Sequence, residues 1–189
     1  EYGIEALKAV WHRGAVDADG KTGDGAGIHV EIPKDFFIEK IQVTGHDYDN
    51  SEICVGMIFL PRNDYSAQES CKTIVESELT KNNFSIYGWR QVPVNSKVLG
   101  EKALQTMPEI IQVLFKPNDP NLLDKNLERK IYEIRKRIEN KAFDASLNNF
   151  YICSISSKSI IYKGLYLAEA ISDFYLDLKD SRFISRYAI

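Results

Sequence analysis

The sequence predicts an α+β or layered α/β protein in which helices cover sheets. Segments with helical periodicity alternate along the chain with short strand-like runs. Some of these runs, such as residues 53–60, are almost entirely apolar, which is typical of strands buried on both faces. Because each buried face needs a covering layer, helices packed on sheets are the expected arrangement.

The beginning of the chain predicts a helix and a strand. Apolar residues recur at helical intervals over residues 4–12, with Trp11 among them, so the chain is expected to open within a helix. Alternating apolar residues over 28–32 predict a strand that Pro33 ends. A short amphipathic segment begins at residues 36–37.

The middle of the chain predicts three strands and one helix. Residues 53–60 form a buried strand, residues 84–94 alternate as a second strand, and residues 110–115 form a third. Residues 67–79 predict a helix between the first two strands. The apolar face of this helix comprises Ala67, Cys71, Ile74, Val75 and Leu79. Its candidate N-cap residues are Asn63, Asp64 and Ser66.

The last third of the chain predicts a long helix, a hairpin and two shorter elements. Apolar residues at helical spacing predict the long helix over residues 123–142. Two apolar runs, 150–155 and 160–164, flank a polar turn and predict a β-hairpin. A helical segment follows at 167–174, and residues 182–189 look like the opening of another strand.

Composition and charge predict one globular domain and exclude two classes of partner. The chain has 189 residues, of which 44% are hydrophobic and 27% charged, which is enough for one sizeable core. Its 24 basic and 27 acidic residues are well mixed, so we expect neither a nucleic acid nor a membrane as a partner. Basic residues on the helix over 123–142 alternate with acidic ones and predict a solvated face.

The three cysteines predict buried side chains. Cys54, Cys71 and Cys153 lie far apart among apolar residues, so we expect neither disulfides nor a metal site, and a reducing compartment such as the cytoplasm. One alternative is an unrelated cysteine hydrolase in which Cys54 or Cys153 acts with His12, which requires a thiol of lowered pKa. Otherwise His12 is expected at a helix end, where the helix dipole favours its cationic form.

The most informative segment lies between the opening helix and the first strand. Residues 12–28, HRGAVDADGKTGDGAGI, contain five glycines and three aspartates. Such glycines permit positive φ and remove side-chain bulk, so we expect a tight loop against a ligand or another backbone. A phosphate loop is disfavoured, because Ala15 occupies a glycine position and Asp17 and Asp19 would repel phosphate. Lys21 at a ligand position disfavours a calcium loop.

This segment resembles the glutaminase domain, a class-II glutamine amidotransferase, of glutamate synthase large subunits. The likeness continues in order along nearly the whole chain and is weaker over residues 95–147. The further matching stretches are Ile32-Pro33, Val55-Gly56-Met57, Gly88-Trp89-Arg90, Tyr151 to Ser157 and Phe174 to Leu178.

The resemblance implies a fold and an incomplete catalytic apparatus. The fold is the α+β, four-layer αββα sandwich of N-terminal-nucleophile hydrolases, incomplete at both ends, with residues 1–189 forming part of one type-2 glutamine amidotransferase domain. In the family, an N-terminal cysteine is the nucleophile and its α-amino group the base. An arginine that binds glutamine and an Asn-Gly oxyanion hole lie further downstream. None of these matches a position in this sequence, so we expect no catalytic residue and no activity from this piece alone.

Three residues are implied to bind substrate: Arg13, Gly14 and Asp24. Arg13 would bind glutamine or orient the loop, and Gly14 would let the backbone approach the nucleophile. In an equally open interpretation, Arg13 and Asp24 pair with each other and only hold the loop.

The resemblance also implies what the parent enzyme does. It would hydrolyse glutamine and pass the ammonia to a second domain, which makes glutamate from 2-oxoglutarate. FMN and an iron–sulfur cluster would belong to that domain, with no cofactor or metal in this piece. The implied partners are the other glutamate synthase domains and a small subunit or ferredoxin, in the cytoplasm or a plastid. The alternative is a non-catalytic scaffold or interaction module that keeps the fold without the chemistry.

Overall fold

The computed structural model describes residues 2–10, 12 and 14–189, and their strands form two sheets. The strands are β1 (Ala26–Glu31), β2 (Cys54–Leu60), β3 (Phe84–Gln91), β4 (Glu109–Pro117), β5 (Tyr151–Ser156) and β6 (Ser159–Gly164). The helices are α1 (Tyr2–Ala9), α2 (Lys34–Val43), α3 (Tyr65–Lys81), α4 (Glu101–Thr106), α5 (Asp124–Asp144) and α6 (Ile171–Phe174). One sheet has the order β3-β4-β2-β5 with antiparallel neighbours, and the other consists of β1 and β6.

The chain divides into two compact units. The first unit comprises the described residues of Glu1–Pro33, together with Val92–Met107 and Ile161–Ile189. The second comprises Lys34–Gln91 and Pro108–Ile160. The mixed α/β class predicted from the sequence is confirmed, and the four-layer order of the sandwich stays a prediction.

The core of the second unit forms where α3 and α5 cover one face of the four-stranded sheet. Alternate residues of β2 and β4 point into this core, as the period of two in a strand requires. The helices contribute Cys71, Val75, Leu79, Leu127, Ile131, Ile134 and Ile138, all at most 1% exposed. Burial of each Leu or Ile contributes roughly 1.5–3 kcal/mol. The predicted apolar faces of both helices are therefore confirmed, except that Leu123 is an exposed N-cap residue.

Helix α3 begins and ends at polar signals that the sequence contains. Of the three candidate N-cap residues, Asp64 is the cap, and its side chain accepts a 2.9 Å hydrogen bond from the backbone N–H of Ala67. At the other end, Asn83 adopts a φ of +66°, a conformation that asparagine tolerates better than most residues. The chain can therefore turn directly from α3 into β3.

Two element boundaries differ from the sequence prediction. The opening helix ends at Ala9, not at residue 12, and Val10 forms a turn, while Trp11 lies outside the described residues. Strand β3 ends at Gln91, short of the predicted Val94. The physical reason in β3 is Pro93, which has no backbone N–H to donate to a neighbouring strand.

The predicted hairpin of residues 150–155 and 160–164 is wrong, although both strands exist. Strand β5 pairs with β2 and strand β6 with β1, so the two adjacent strands belong to different sheets. A side chain of α5 accepts hydrogen bonds from the residues that connect β5 to β6. The Glu128 carboxylate accepts hydrogen bonds from the Ser156 hydroxyl at 2.9 Å, the Ser157 N–H at 2.7 Å and the Ser157 hydroxyl at 2.8 Å.

The first unit is built on β1, β6 and a group of buried aromatic rings. The Tyr162, Tyr166, Phe174 and Tyr175 rings pack with centroid distances of 4.7–6.3 Å. The predicted helical segment over 167–174 is confirmed as a 3-10 helix, Ala168–Ala170, followed by α6. The predicted strand near the end of the chain appears as one bridge between Val30 and Ala188. Beside it, His29 and Ile189 exchange backbone hydrogen bonds of 2.8 and 2.9 Å.

The charged face of α5 carries ion pairs along the helix. Arg129 pairs with Glu133, and Arg135 and Lys136 pair with Glu139, which agrees with the predicted solvated face. Within the described ranges, no helix is both long enough and apolar enough to cross a membrane.

We predict that Glu128→Ala lowers the free energy of unfolding by about 1–3 kcal/mol, because three donors lose a charged acceptor. The matched control is Glu133→Ala on the same helix. Its carboxylate pairs with a largely exposed Arg129, so the change should cost about 0.5 kcal/mol or less. Urea unfolding followed by circular dichroism measures both. Equal losses in the two variants would contradict the role given to Glu128.

Candidate active site

The described part of the glycine-rich segment, residues 14–27, forms a narrow loop that we call the glycine loop. Its two arms pair with each other, since Val16 and Gly23 form an antiparallel bridge. The backbone N–H of Asp17 donates to the Thr22 carbonyl at 2.9 Å, and that of Asp24 donates to the Ala15 carbonyl at 3.2 Å. The loop therefore has a base near residues 14 and 24 and a tip at residues 18–21.

Two kinds of constraint explain the glycines of this loop. Gly20 and Gly25 have φ values of +69° and +120°, which side chains rarely allow. Gly23 instead lies against another backbone, because a Cβ built there would be 2.6 Å from the Tyr166 carbonyl oxygen. A Cβ at Gly27 would likewise be 2.9 Å from a carbonyl of β6. The predicted close approach to another backbone is confirmed.

The tip of the glycine loop is bonded by Asp19. One carboxylate oxygen accepts from the backbone N–H groups of Lys21 and Thr22 at 2.9 and 2.7 Å, and the other accepts from the Thr22 hydroxyl at 2.6 Å. These donors, led by the Thr22 hydroxyl, hold the pKa of Asp19 well below its usual range.

Helix α4 meets the loop tip at a glycine. A Cβ at Gly100, the N-cap residue of α4, would lie 2.2 Å from both Asp19 Oδ2 and Thr22 Oγ1. In the first turn of this helix, Lys102 forms a 2.7 Å ion pair with Asp17. The pair lowers the pKa of Asp17 and raises that of Lys102. Sequence reasoning missed α4, because six residues are too few to show helical periodicity. The only available signal was Gly100 before Glu101.

A cavity lies beside the base of the glycine loop. Its volume is about 590 Å³, within the range of pockets that hold small molecules. Its walls are the end of α1, the glycine loop from its base to Gly20 at the tip, and the segment before α6. The lining residues are Leu7, Val10, Gly14, Val16, Gly20, Asp24, Gly25, Ala26, Gly27, Tyr166, Leu167, Ala168 and Glu169.

The structure places two of the three predicted substrate-binding residues in the wall of this cavity. Gly14 and Asp24 both line it, and both are exposed. Arg13 lies outside the described residues, so its contact with substrate and its alternative pairing with Asp24 stay predictions. The segment Tyr166–Glu169, which forms the opposite wall, was not predicted, since nothing local in its sequence indicates a site.

The three cysteines are buried, as predicted, and this argues against a cysteine hydrolase that uses them. Cys54 and Cys71 are 0% exposed and Cys153 is 4% exposed. Burial raises the pKa of Cys54 above its usual value and that of Cys71 to about 11, whereas a nucleophilic thiol needs a lowered pKa. His12, the proposed base of that alternative, is exposed just beyond α1.

The sequence of the chain matches a known family over its whole length. The family described as class-II glutamine amidotransferases matches residues 1–189, and the chain belongs to it.

Similar proteins are large, and this chain corresponds to a small part of each. The chain is 54% identical over 189 residues to the glutamate synthase [NADPH] large chain of Azospirillum brasilense. The matched region comprises all of this chain and 12% of that protein. The chain is 39% identical over 186 residues to ferredoxin-dependent glutamate synthase 1, chloroplastic/mitochondrial, of Arabidopsis thaliana, covering 97% of this chain and 11% of that protein. It is 35% identical to ferredoxin-dependent glutamate synthase 2 of Synechocystis sp., of which it covers 12%.

We predict that Gly23→Ala destabilises the first unit by about 1–3 kcal/mol, because its Cβ would collide with the Tyr166 carbonyl. The control is Gly20→Asn at the loop tip, where φ is positive but no atom lies within 4 Å of a built Cβ. Asparagine tolerates this φ, so its cost should stay below about 1 kcal/mol. Thermal unfolding and amide exchange at Thr22 measure both. If Gly20→Asn lowered stability more than Gly23→Ala, the lack of space for a Cβ at Gly23 would not be the main constraint on the loop.

Proposed function

We propose that this chain is part of the glutaminase domain of a glutamate synthase large subunit. In that enzyme, glutamine is hydrolysed and the ammonia is used to make glutamate from 2-oxoglutarate. One observation carries the proposal: the loop with the family's characteristic residues forms the wall of a cavity large enough for an amino acid. The similarity to NADPH- and ferredoxin-dependent glutamate synthases supports the same conclusion. Residues 1–189 would then belong to a single class-II amidotransferase domain.

The chemistry of the cavity wall suits a free amino acid. Gly14 and Gly25 leave backbone without side-chain bulk, so that a ligand can approach it closely. The exposed Asp24 carboxylate offers an acceptor for the α-ammonium group of glutamine. Arg13, one residue before Gly14, would provide the opposite charge for the α-carboxylate. Aliphatic residues of α1 and the loop form the apolar remainder of the wall, suited to the methylene groups of the side chain.

The nucleophile of the proposed reaction is none of the three cysteines of this chain. All three lie in buried positions that glutamine does not reach, and burial raises the pKa of Cys54 and Cys71. This polypeptide would therefore supply the loop and one wall of the site, while the reacting thiol would come from another part of the complete enzyme.

Cofactors and partners are assigned to the complete enzyme. FMN and an iron–sulfur cluster would serve its synthase reaction, but in the part of the chain described, no three His, Cys, Asp or Glu side chains form a set that holds a metal. Its electrons would come either from NADPH through a small subunit or from ferredoxin. NADPH and ferredoxin are the two donors that the names of the relatives give. The enzyme would act in the cytoplasm or in a plastid.

We expect that the isolated 189-residue polypeptide releases no glutamate or ammonia from glutamine, because its thiols are buried. A coupled glutamate assay measures this, with the complete enzyme as the positive control. Glutamine hydrolysis by the isolated polypeptide that is lost on alkylating a cysteine would contradict the expectation.

In the complete enzyme, Asp24→Asn should lower glutamine-dependent glutamate formation roughly tenfold to a hundredfold. The reason is that a hydrogen bond to a charged group contributes about 1.5–3 kcal/mol. Glutamate formation from added ammonium should stay within about twofold of the wild type, since that reaction bypasses glutamine. Asp47→Asn, in an exposed loop of the second unit, is the matched control and should change neither rate. Parallel loss of both reactions in Asp24→Asn, or loss of neither, would count against a glutamine site in this cavity.

A further inference from the structure

The glycine loop is held at its tip as well as at its base. At the base, Gly23 packs on the Tyr166 backbone beside the cavity. At the tip, the Asp19 carboxylate accepts hydrogen bonds from Lys21 and Thr22, and it packs against Gly100, the N-cap residue of α4. The two attachments involve different parts of the first unit, since Tyr166 follows β6 and α4 follows β3 in the chain.

The tip needs such an attachment because glycine-rich backbone is otherwise free to adopt many conformations. Ordering each residue costs conformational entropy, and glycine loses more of it than any other residue. Bonds within the arms, from Asp17 to Thr22 and from Asp24 to Ala15, fix the arms against each other but do not fix the loop against the rest of the unit. Contacts from outside the loop must therefore set the direction in which its base faces.

Asp19 lies where the loop tip contacts the start of α4. It bonds Thr22, whose carbonyl is part of the ladder between the arms, and it reaches α4 at a place where only glycine leaves room. The ion pair between Lys102 and Asp17 adds a second link, but the Lys102 side chain is 69% exposed, so solvent weakens it. The bonds of Asp19 are the more numerous and include a buried partner, Thr22, which is 7% exposed.

We infer that Asp19 is a positioning residue for glutamine hydrolysis: by ordering the loop tip and packing it against Gly100 at the start of α4, it holds Gly14 and Asp24 in the cavity wall. This inference rests on the proposed function. Asp19 touches no substrate in this arrangement. It acts through the backbone of the loop, and its removal would let the base shift relative to the opposite wall, Tyr166–Glu169. Misplacement of a substrate-binding group by about an ångström lowers rates by as much as a hundredfold.

The test uses the complete enzyme with Asp19→Ala, Asp19→Asn and the matched control Asp180→Ala. Asp180 lies in the same unit, and its carboxylate accepts from the backbone N–H two residues on, as Asp19 does from Lys21. Steady-state rates are measured with glutamine and, separately, with ammonium as the nitrogen source. Thermal unfolding and amide exchange of residues 15–24 are measured on the same samples.

We expect Asp19→Ala to lower kcat/KM for glutamine roughly tenfold to a hundredfold. The ammonium reaction should stay within about twofold, the melting temperature should match that of Asp180→Ala, and the loop amides should exchange faster. Asp19→Asn keeps an oxygen that accepts from Lys21 and Thr22, so it should restore most of the glutamine rate.

Three results would overturn the inference. Wild-type kcat/KM for glutamine in Asp19→Ala would show that the tip does not position the base, and the proposed function would stand if Asp24→Asn still lost activity. Equal losses with glutamine and ammonium, together with a lowered melting temperature, would show a purely structural role. A wild-type enzyme that uses ammonium but never glutamine would overturn the proposed function itself, and the inference with it.

Discussion

The missing side chain at residue 23 is the constraint on which the rest of the site depends. Its backbone lies so close to the Tyr166 carbonyl that no Cβ fits. Since Gly23 pairs with Val16 across the loop, this contact seats the base of both arms beside the cavity that Gly14 and Asp24 line. Tyr166 is itself packed against the rings of Phe174 and Tyr175, so the surface that receives the loop is part of a rigid core.

Packing holds the base of this loop, and polar contacts hold its tip. The contact at Gly23 is steric and buried, and it depends on the absence of atoms rather than on an attraction. The contacts at the tip are polar and largely exposed, and they depend on one carboxylate with several donors. A loop held by packing near the site and by hydrogen bonds further out keeps its base in place while leaving its ligand-facing side uncovered. That combination suits a loop that forms the wall of a binding site.

Much of the secondary structure could be predicted from the sequence, because periodicity reports local burial. The apolar stripe of α5 and the continuous apolar run of β2 are examples. The pairing of strands could not be predicted in the same way. β5 and β6 are adjacent in sequence, which favours a hairpin, yet each pairs with an apolar strand from far along the chain. At the site, Gly14 and Asp24 were predicted only through the resemblance to a known family. Asp19, Gly100 and Lys102 were missed, because their contacts join segments about eighty residues apart in the sequence.

The claim that the glycine loop forms the wall of a glutamine site is tested most directly by hydrogen–deuterium exchange on the complete enzyme, with and without the product glutamate. If the claim is correct, glutamate slows exchange in two peptides, one covering residues 14–27 and one covering Tyr166–Glu169, which face each other across the cavity. If glutamate protects other parts of the enzyme and leaves both of these peptides unchanged, the loop is not part of the binding site and the claim is contradicted.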